Sequence, residues 1–173
     1  MRTIEIRPEA VRPRTMQQVA EALTQSQTVI AFPTDTGYAF GCAPGAQGAL
    51  QRIQRLKGLT ASHTWTLLCA DLECLGTFGR LDTPHFRQVK RVTPGPYTFV
   101  LAATDEVPKQ LRQKQRRTIG IRVSADPVVT ALLEALGGPL VTTSARLQGD
   151  EWALEDAVSI AEECGDGVDL LLD

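Results

Sequence analysis

Short apolar runs along the chain alternate with stretches whose apolar positions fall three and four residues apart. Residues 27–32 (QTVIAF) form such a run and read as a buried strand ending at Pro33, and residues 46–57 (AQGALQRIQRLK) carry the helical spacing. A second run, 64–69 (TWTLLC), predicts another strand, followed by a helix that opens at Asp71, whose carboxylate can accept from the first free amides. Residues 83–92 predict a short helix before a Thr-Pro-Gly-Pro turn. The run 97–103 (YTFVLAA) has the strongest strand character by its β-branched and aromatic content, and Ile119, Ile121 and Val123 alternate as in a half-buried strand. Asp126-Pro127 opens an amphipathic helix that stops at Gly137-Gly138; a strand over 139–143, a helix over 154–164 and a strand over 168–172 complete the pattern. Strands and helices interleave throughout, which predicts an α/β or α+β sheet in a single domain over residues 1–173.

Composition narrows the function classes. With 43% apolar and 22% charged residues and a formal net charge of -2, the chain has no global field drawing it to nucleic acid or to a membrane. Cys42, Cys69, Cys74 and Cys164 form no CxxC pair, and only His63 and His85 could join them, so they read as small buried apolar side chains, with no metal site expected. Arg2, Glu5, Arg7 and Glu9 interrupt the N-terminal stretch, and no segment reaches the roughly 20 apolar residues of a membrane span. A cytosolic protein without membrane partners is expected.

Several groups can carry chemistry. The segment 33–41 (PTDTGYAFG) puts Thr34, Asp35, Thr36 and Tyr38 directly after a strand, where α/β sheets line their ligand clefts; the same residues also make local turns. In TPGPYT, over residues 93–98, the rigid turn sends Thr98 to one face of a strand and Tyr97 to the other. Arg122 ends one strand, and Thr142, Thr143 and Ser144 end another, so a cation and hydroxyls converge on one anion if those strands are neighbours; a lone arginine otherwise makes a surface salt bridge. The connector 109–117 gathers Lys109, Arg112, Lys114, Arg116 and Arg117, either as a solvated loop or as a local basic patch for RNA. There is no Walker A loop, GxGxxG, HExxH or GxSxG, so neither zinc-hydrolase nor serine-nucleophile chemistry has support.

Taken in order, PTDTGYAFG, LKGL, HTWTLL, TPGPYTFVL, TIGIRV and TTSA resemble the signature blocks of the YrdC-like domain family, and their wording is closest to its YciO-type branch. The resemblance implies a YrdC-like (DHBP synthase-like) fold, a twisted sheet with helices on its faces and a concave, positively charged cleft. For active members it implies synthesis of threonylcarbamoyl-AMP from threonine, bicarbonate and ATP with magnesium as a substrate complex, without a tightly bound cofactor, as the first step of a tRNA modification. By position, Thr34, Thr36, Tyr38, His63 and Thr98 would contact the threonine or carbamate end. Lys57 and Arg122, as the catalytic cations, would join Thr142, Ser144 and Arg146 around the nucleotide. RNA, either tRNA or double-stranded, is the alternative partner through the connector cations.

The chain departs from the synthase pattern in four respects. The expected Lys-x-Arg reads Lys57-Gly58-Leu59, Arg-x-Pro reads Arg122-Val123-Ser124, and Ser-Ala-Asn reads Ser144-Ala145-Arg146. Arg146 either restores a positive charge or blocks the contact that the amide would make. Synthases also continue into a Gly- and Ser/Thr-containing phosphate loop, whereas this chain ends at Asp173. These departures leave three expectations side by side: a synthase, an RNA-binding protein, and a nucleotide binder without turnover.

Overall fold

The computed structural model describes residues 1–25, 27–60 and 63–173. Among these, the strands are β1 (Arg2–Ile4), β2 (Ile30–Thr34), β3 (Gly37–Cys42), β4 (Thr66–Leu68), β5 (Gly79–Arg80), β6 (Phe99–Ala103), β7 (Thr118–Arg122), β8 (Leu140–Ser144) and β9 (Leu170–Leu172). The helices are α1 (Pro13–Gln25), α2 (Gln47–Lys57), α3 (Leu72–Phe78), α4 (Thr83–Arg91), α5 (Pro127–Leu136) and α6 (Ala157–Cys164). The strands join into one mixed sheet in the order β1-β9-β2-β3-β8-β4-β7-β6-β5. In it β8 is antiparallel to both neighbours, while β4 and β7 run parallel.

Pleat alternation sorts the strand side chains into two cores. Ile30, Phe32, Ala39, Leu68 and Leu140 pack under α1 and α5, which contribute Met16, Val19, Leu23, Val128, Val129, Leu132 and Leu133. Tyr38, Phe40, Cys42, Leu67, Ile119, Ile121 and Val141 face the other way, against apolar residues of α2, α3, α4 and α6. The two faces explain why β2 reads as a continuous apolar run rather than an alternating one.

Helix ends follow the capping chemistry of the sequence. Asp71 accepts from the Cys74 amide at 2.8 Å, and Asp126 accepts from the Val128 and Val129 amides at 2.8 and 3.1 Å. Helix α2 stops at Gly58, whose left-handed φ of 61° lets the Gly58 and Leu59 amides turn back to the carbonyls of Arg55 and Gln54. Cys42, Cys69 and Cys164 are buried and Cys74 is partly so, all as free thiols.

Some boundaries differ from the sequence reading. The strand expected from residue 27 begins at Ile30, and the helix expected from residue 154 begins at Ala157, after its N-cap Asp156. Helix α1 and strand β3 were not foreseen; Met16, Val19, Ala20 and Leu23 in α1 do carry the helical spacing.

Replacing Asp126 by Ala should lower the urea midpoint by an amount equivalent to about 1 kcal/mol, the usual value of an N-cap. Replacing Leu132, which is fully buried between α5 and the sheet, should cost about 3 kcal/mol. Equal effects in equilibrium denaturation would contradict the assigned cap and core.

Candidate active site

The β2–β3 turn is built locally. Thr34 Oγ1 donates to the Gly37 carbonyl at 2.7 Å and accepts from the Thr36 amide at 3.2 Å, while Gly37 adopts a φ of 93°. The other side chains of the turn reach across the sheet. Arg122, at the end of β7, donates from Nη1 to Thr36 Oγ1 at 2.9 Å and from Nη2 to Asp35 Oδ1 in a close ion pair. Ser124 Oγ donates to the same carboxylate oxygen at 3.2 Å and accepts from the Asp126 amide at 3.1 Å, which ties the turn to the start of α5. PTDT is therefore both a turn and one wall of a cleft.

That cleft, of about 320 Å³, is lined by Thr34, Thr36, Tyr38, His63, Thr64, Thr66, Thr98, Arg122, Thr142, Thr143 and Ser144, with Ala39 and Leu68. The strands carrying Arg122 and Thr142 are not neighbours, contrary to the condition set from sequence. β4 lies between them and adds Thr66, which stands opposite both Thr142 and Gly120 in the register. Gly120 keeps the floor open: a Cβ there would lie 2.7 Å from Thr66 Oγ1 and 3.1 Å from Thr98 Cγ2. On this face the apolar residues under α1 and α5 give way to hydroxyls.

Lys57 approaches from the opposite face, at the end of α2. Its Nζ donates to Thr143 Oγ1 at 2.7 Å and, in a closer contact, to the Ser144 carbonyl, so it lies behind β8 and does not line the cleft. Burial first, then the charge of the exposed Arg146, pushes its pKa down to about 8. Burial, helped by Lys57, pushes His63 down to about 4, so the imidazole is neutral at physiological pH; it stands edge-on to Trp65 with ring centroids 5.1 Å apart. Tyr38 packs in the core of the far face, and its hydroxyl donates to Asp173 Oδ1 at 3.3 Å. Burial and Asp173 raise its pKa to about 12.

Two buried polar atoms among the described residues have no partner, His63 Nε2 and Arg122 Nε, and both belong to residues lining the cleft. Buried groups of this kind are normally paired, so two unpaired ones on residues of one cleft mark it as a candidate ligand site. The sequence reading passed over Asp35 as a partner of Arg122, and missed Thr66, Gly120 and Ser124. Thr66 had a visible signal, since it alternates with Leu68 in an otherwise apolar strand. A larger cavity of about 620 Å³ lies between α4 and β6, but none of the predicted site residues lines it.

Among the described residues, none of the connector cations lines the cleft. Lys109 opens a short 3-10 turn, and Arg112 is held by the carbonyls of Val107 and Asp105 at 2.8 and 3.0 Å and by the Asp105 carboxylate at 3.5 Å. Lys109, Lys114, Arg116 and Arg117 are exposed, with no side-chain ion pair among the described residues.

The Sua5/YciO/YrdC family model, described by the words telomere recombination, matches residues 22–173. The chain is 42% identical to the uncharacterized protein YciO of Escherichia coli K12 over 167 residues, which are 96% of this chain and 81% of that protein. The crystal structure of E. coli YciO superposes with a TM-score of 0.95 at 41% identity, covering 99% of this chain and 84% of that one. A threonylcarbamoyl-AMP synthase of Nitrosococcus oceani is 34% identical over 161 residues, 92% of this chain and 86% of that protein. P. abyssi Sua5, solved in complex with L-threonine, matches with a TM-score of 0.89 at 25% identity over 100% of this chain and 50% of that one.

The depressed His63 pKa sets a pH dependence. Between pH 6.5 and about 4 the unfolded chain binds a proton that the folded chain does not, so stability falls as the pH drops through this window. Urea midpoints measured from pH 7 down to about 5 should fall more steeply for the wild type than for His63→Gln. Parallel slopes would show that His63 takes no part.

Proposed function

The chain belongs to the Sua5/YciO/YrdC family, and we propose that it is a nucleotidyltransferase of the threonylcarbamoyl-AMP synthase type, with threonine, bicarbonate and magnesium-bound ATP as substrates. The observation that carries this reading is the joining of hydroxyls from Thr36, Thr66, Thr98, Thr142 and Ser144 with a mostly buried guanidinium whose Nε has no partner. Such a site holds anions and needs no side-chain nucleophile. Related synthases and a relative solved with L-threonine support the choice of reaction.

In this reaction the threonine amine attacks the bicarbonate carbon, and loss of water leaves a carbamate. A carbamate oxygen then attacks the α-phosphorus while the bond from that phosphorus to the bridging oxygen breaks, and pyrophosphate leaves. The protein's share is orientation and charge. Arg122 meets the carboxylate or carbamate with its free Nε. The hydroxyls of Thr142 and Ser144 face the nucleotide, and those of Thr36 and Thr98 the amino acid. Lys57 acts through β8: its bond to the Ser144 carbonyl adds positive potential at the cleft without contact to the ligand. His63, neutral, offers one hydrogen bond.

Purified protein given threonine, bicarbonate, magnesium and ATP should release pyrophosphate only when threonine is present, and Arg122→Ala should reduce the rate by about 100-fold or more. Release that does not depend on threonine, or no release by the wild type, rules out the synthase.

A second reading, RNA binding, is favoured by the exposed cations Lys109, Lys114, Arg116 and Arg117. For this role, affinity for double-stranded RNA or tRNA should fall steeply with salt, and replacing two of the four by Ala should reduce the slope of log K against log salt by about 1.5. A flat salt response is the contrary result.

A further inference from the structure

A cavity of about 450 Å³ lies at the β1 edge of the sheet, where β9, β2 and β3 separate β1 from β8, and it shares no lining residue with the cleft. Its floor is apolar: Ile4, Ile6 and Met16 belong to the core under α1. Its other walls include the exposed Arg2, Arg7 and Arg12, with Glu5 as the single lining carboxylate. None of the three arginines makes an ion pair among the described residues. The backbone that presents them is fixed. The Arg2 amide donates to the Asp169 carbonyl at 2.7 Å, the Arg7 carbonyl accepts from the Ala10 amide at 2.8 Å, and the Arg12 carbonyl accepts from the Thr15 and Met16 amides at 3.0 and 3.2 Å. The cavity is formed within residues 2–18, and the family model, which starts at residue 22, does not reach them.

We propose that this cavity binds a phosphomonoester carried on an apolar body, at a site separate from the cleft and independent of the reaction assigned to it. A guanidinium fork matches two oxygens of a phosphoryl group, and three such forks line one space without a carboxylate partner. Charge decides between the oxyanions. Three arginines against one glutamate leave a surplus of two positive charges, which suits a nearly dianionic phosphomonoester at neutral pH better than a monoanionic carboxylate. The half-buried Thr15 adds a hydroxyl to the same wall. The floor of Ile4, Ile6 and Met16 would take up a hydrocarbon or aromatic body, and the volume falls in the range of small-molecule pockets, roughly 300–1,000 Å³. A bare anion leaves that floor unused.

The test is a titration of isotope-labelled protein with phenyl phosphate, followed by NMR at constant ionic strength, with benzoate and inorganic phosphate as comparators. The amide signals of Arg7, Arg12 and Thr15 should shift and saturate. Phenyl phosphate should bind about fivefold or more tightly than benzoate, through its second charge, and than inorganic phosphate, through its ring. The double variant Arg7→Gln/Arg12→Gln should lower the affinity by about tenfold or more, because each change removes a charge-assisted bond. Glu5→Gln should raise it, since the opposing charge is lost. Arg7, Arg12 and Glu5 are exposed, so these variants should keep the wild-type melting temperature. Shifts confined to cleft residues such as Thr66 and Thr98, equal affinity for phenyl phosphate and either comparator, or an affinity unchanged in the arginine variant overturns the site.

Discussion

The pleat of β8 is the constraint on which both the core and the cleft depend. This strand lies at the middle of the sheet order, antiparallel to β3 on one side and β4 on the other, so it joins the two halves of the molecule. Alternation sends Val141 into the core under α2 and Leu140 into the core under α1 and α5. Thr142 and Ser144 continue the Leu140 face past the cover of those helices, and Thr143 turns back to receive Lys57. A slip of one residue would bury the polar set and expose the apolar one. The register that secures the core therefore also fixes where the hydroxyls stand.

Charge in the cleft is arranged around that strand and is only partly neutralised. The Arg122 side chain is 11% exposed and that of Asp35 is 24% exposed, so the pair lies between the surface case, where ion pairs contribute little, and the buried case, where an unpaired partner is costly. Asp35 and Thr36 accept from the two terminal nitrogens of Arg122 and fix the plane of the guanidinium. The buried Nε on the remaining edge has no partner. Lys57 follows another logic: two oxygens from β8 offset its own burial, and burial, helped by the charge of Lys57, holds His63 neutral. One lysine thus adds potential to the cleft and suppresses a second charge beside it.

Much of this was legible in the sequence where local chemistry decides structure. Asp71, Asp126, Gly58 and Gly137 mark helix ends because caps and left-handed turns depend on single side chains, and the runs around β4, β6, β7 and β8 were visible as strands. Helix α1 carried its signal but was passed over, and β3 was hidden because PTDTGYAFG was weighed as a turn and a site rather than as a strand. Tertiary facts were harder to read. That β4 intervenes between the strands of Arg122 and Thr142 is a matter of strand order, which no periodicity encodes. Lys57 was expected beside the nucleotide, yet it reaches β8 from the far face, where it meets Thr143 and the Ser144 carbonyl.

The replacement at residue 59 shows how a fold can redistribute charge without changing shape. Gly58 ends α2 in a left-handed turn, and the following side chain, Leu59, packs partly buried against the core of the α2 face. An apolar residue gains from that burial, roughly 25 cal/mol per Å² removed from water, where an arginine would lay its stem along the same surface and keep its head in the cavity of about 280 Å³ that Leu59 lines. With leucine the wall becomes more apolar and the cavity loses a cation on that side. The connector lines the same cavity with Arg112, which Asp105 holds, and with the exposed Lys114. The number of cations around a cavity is set by its whole perimeter, and a motif missing an arginine on one wall does not by itself mean a site without charge.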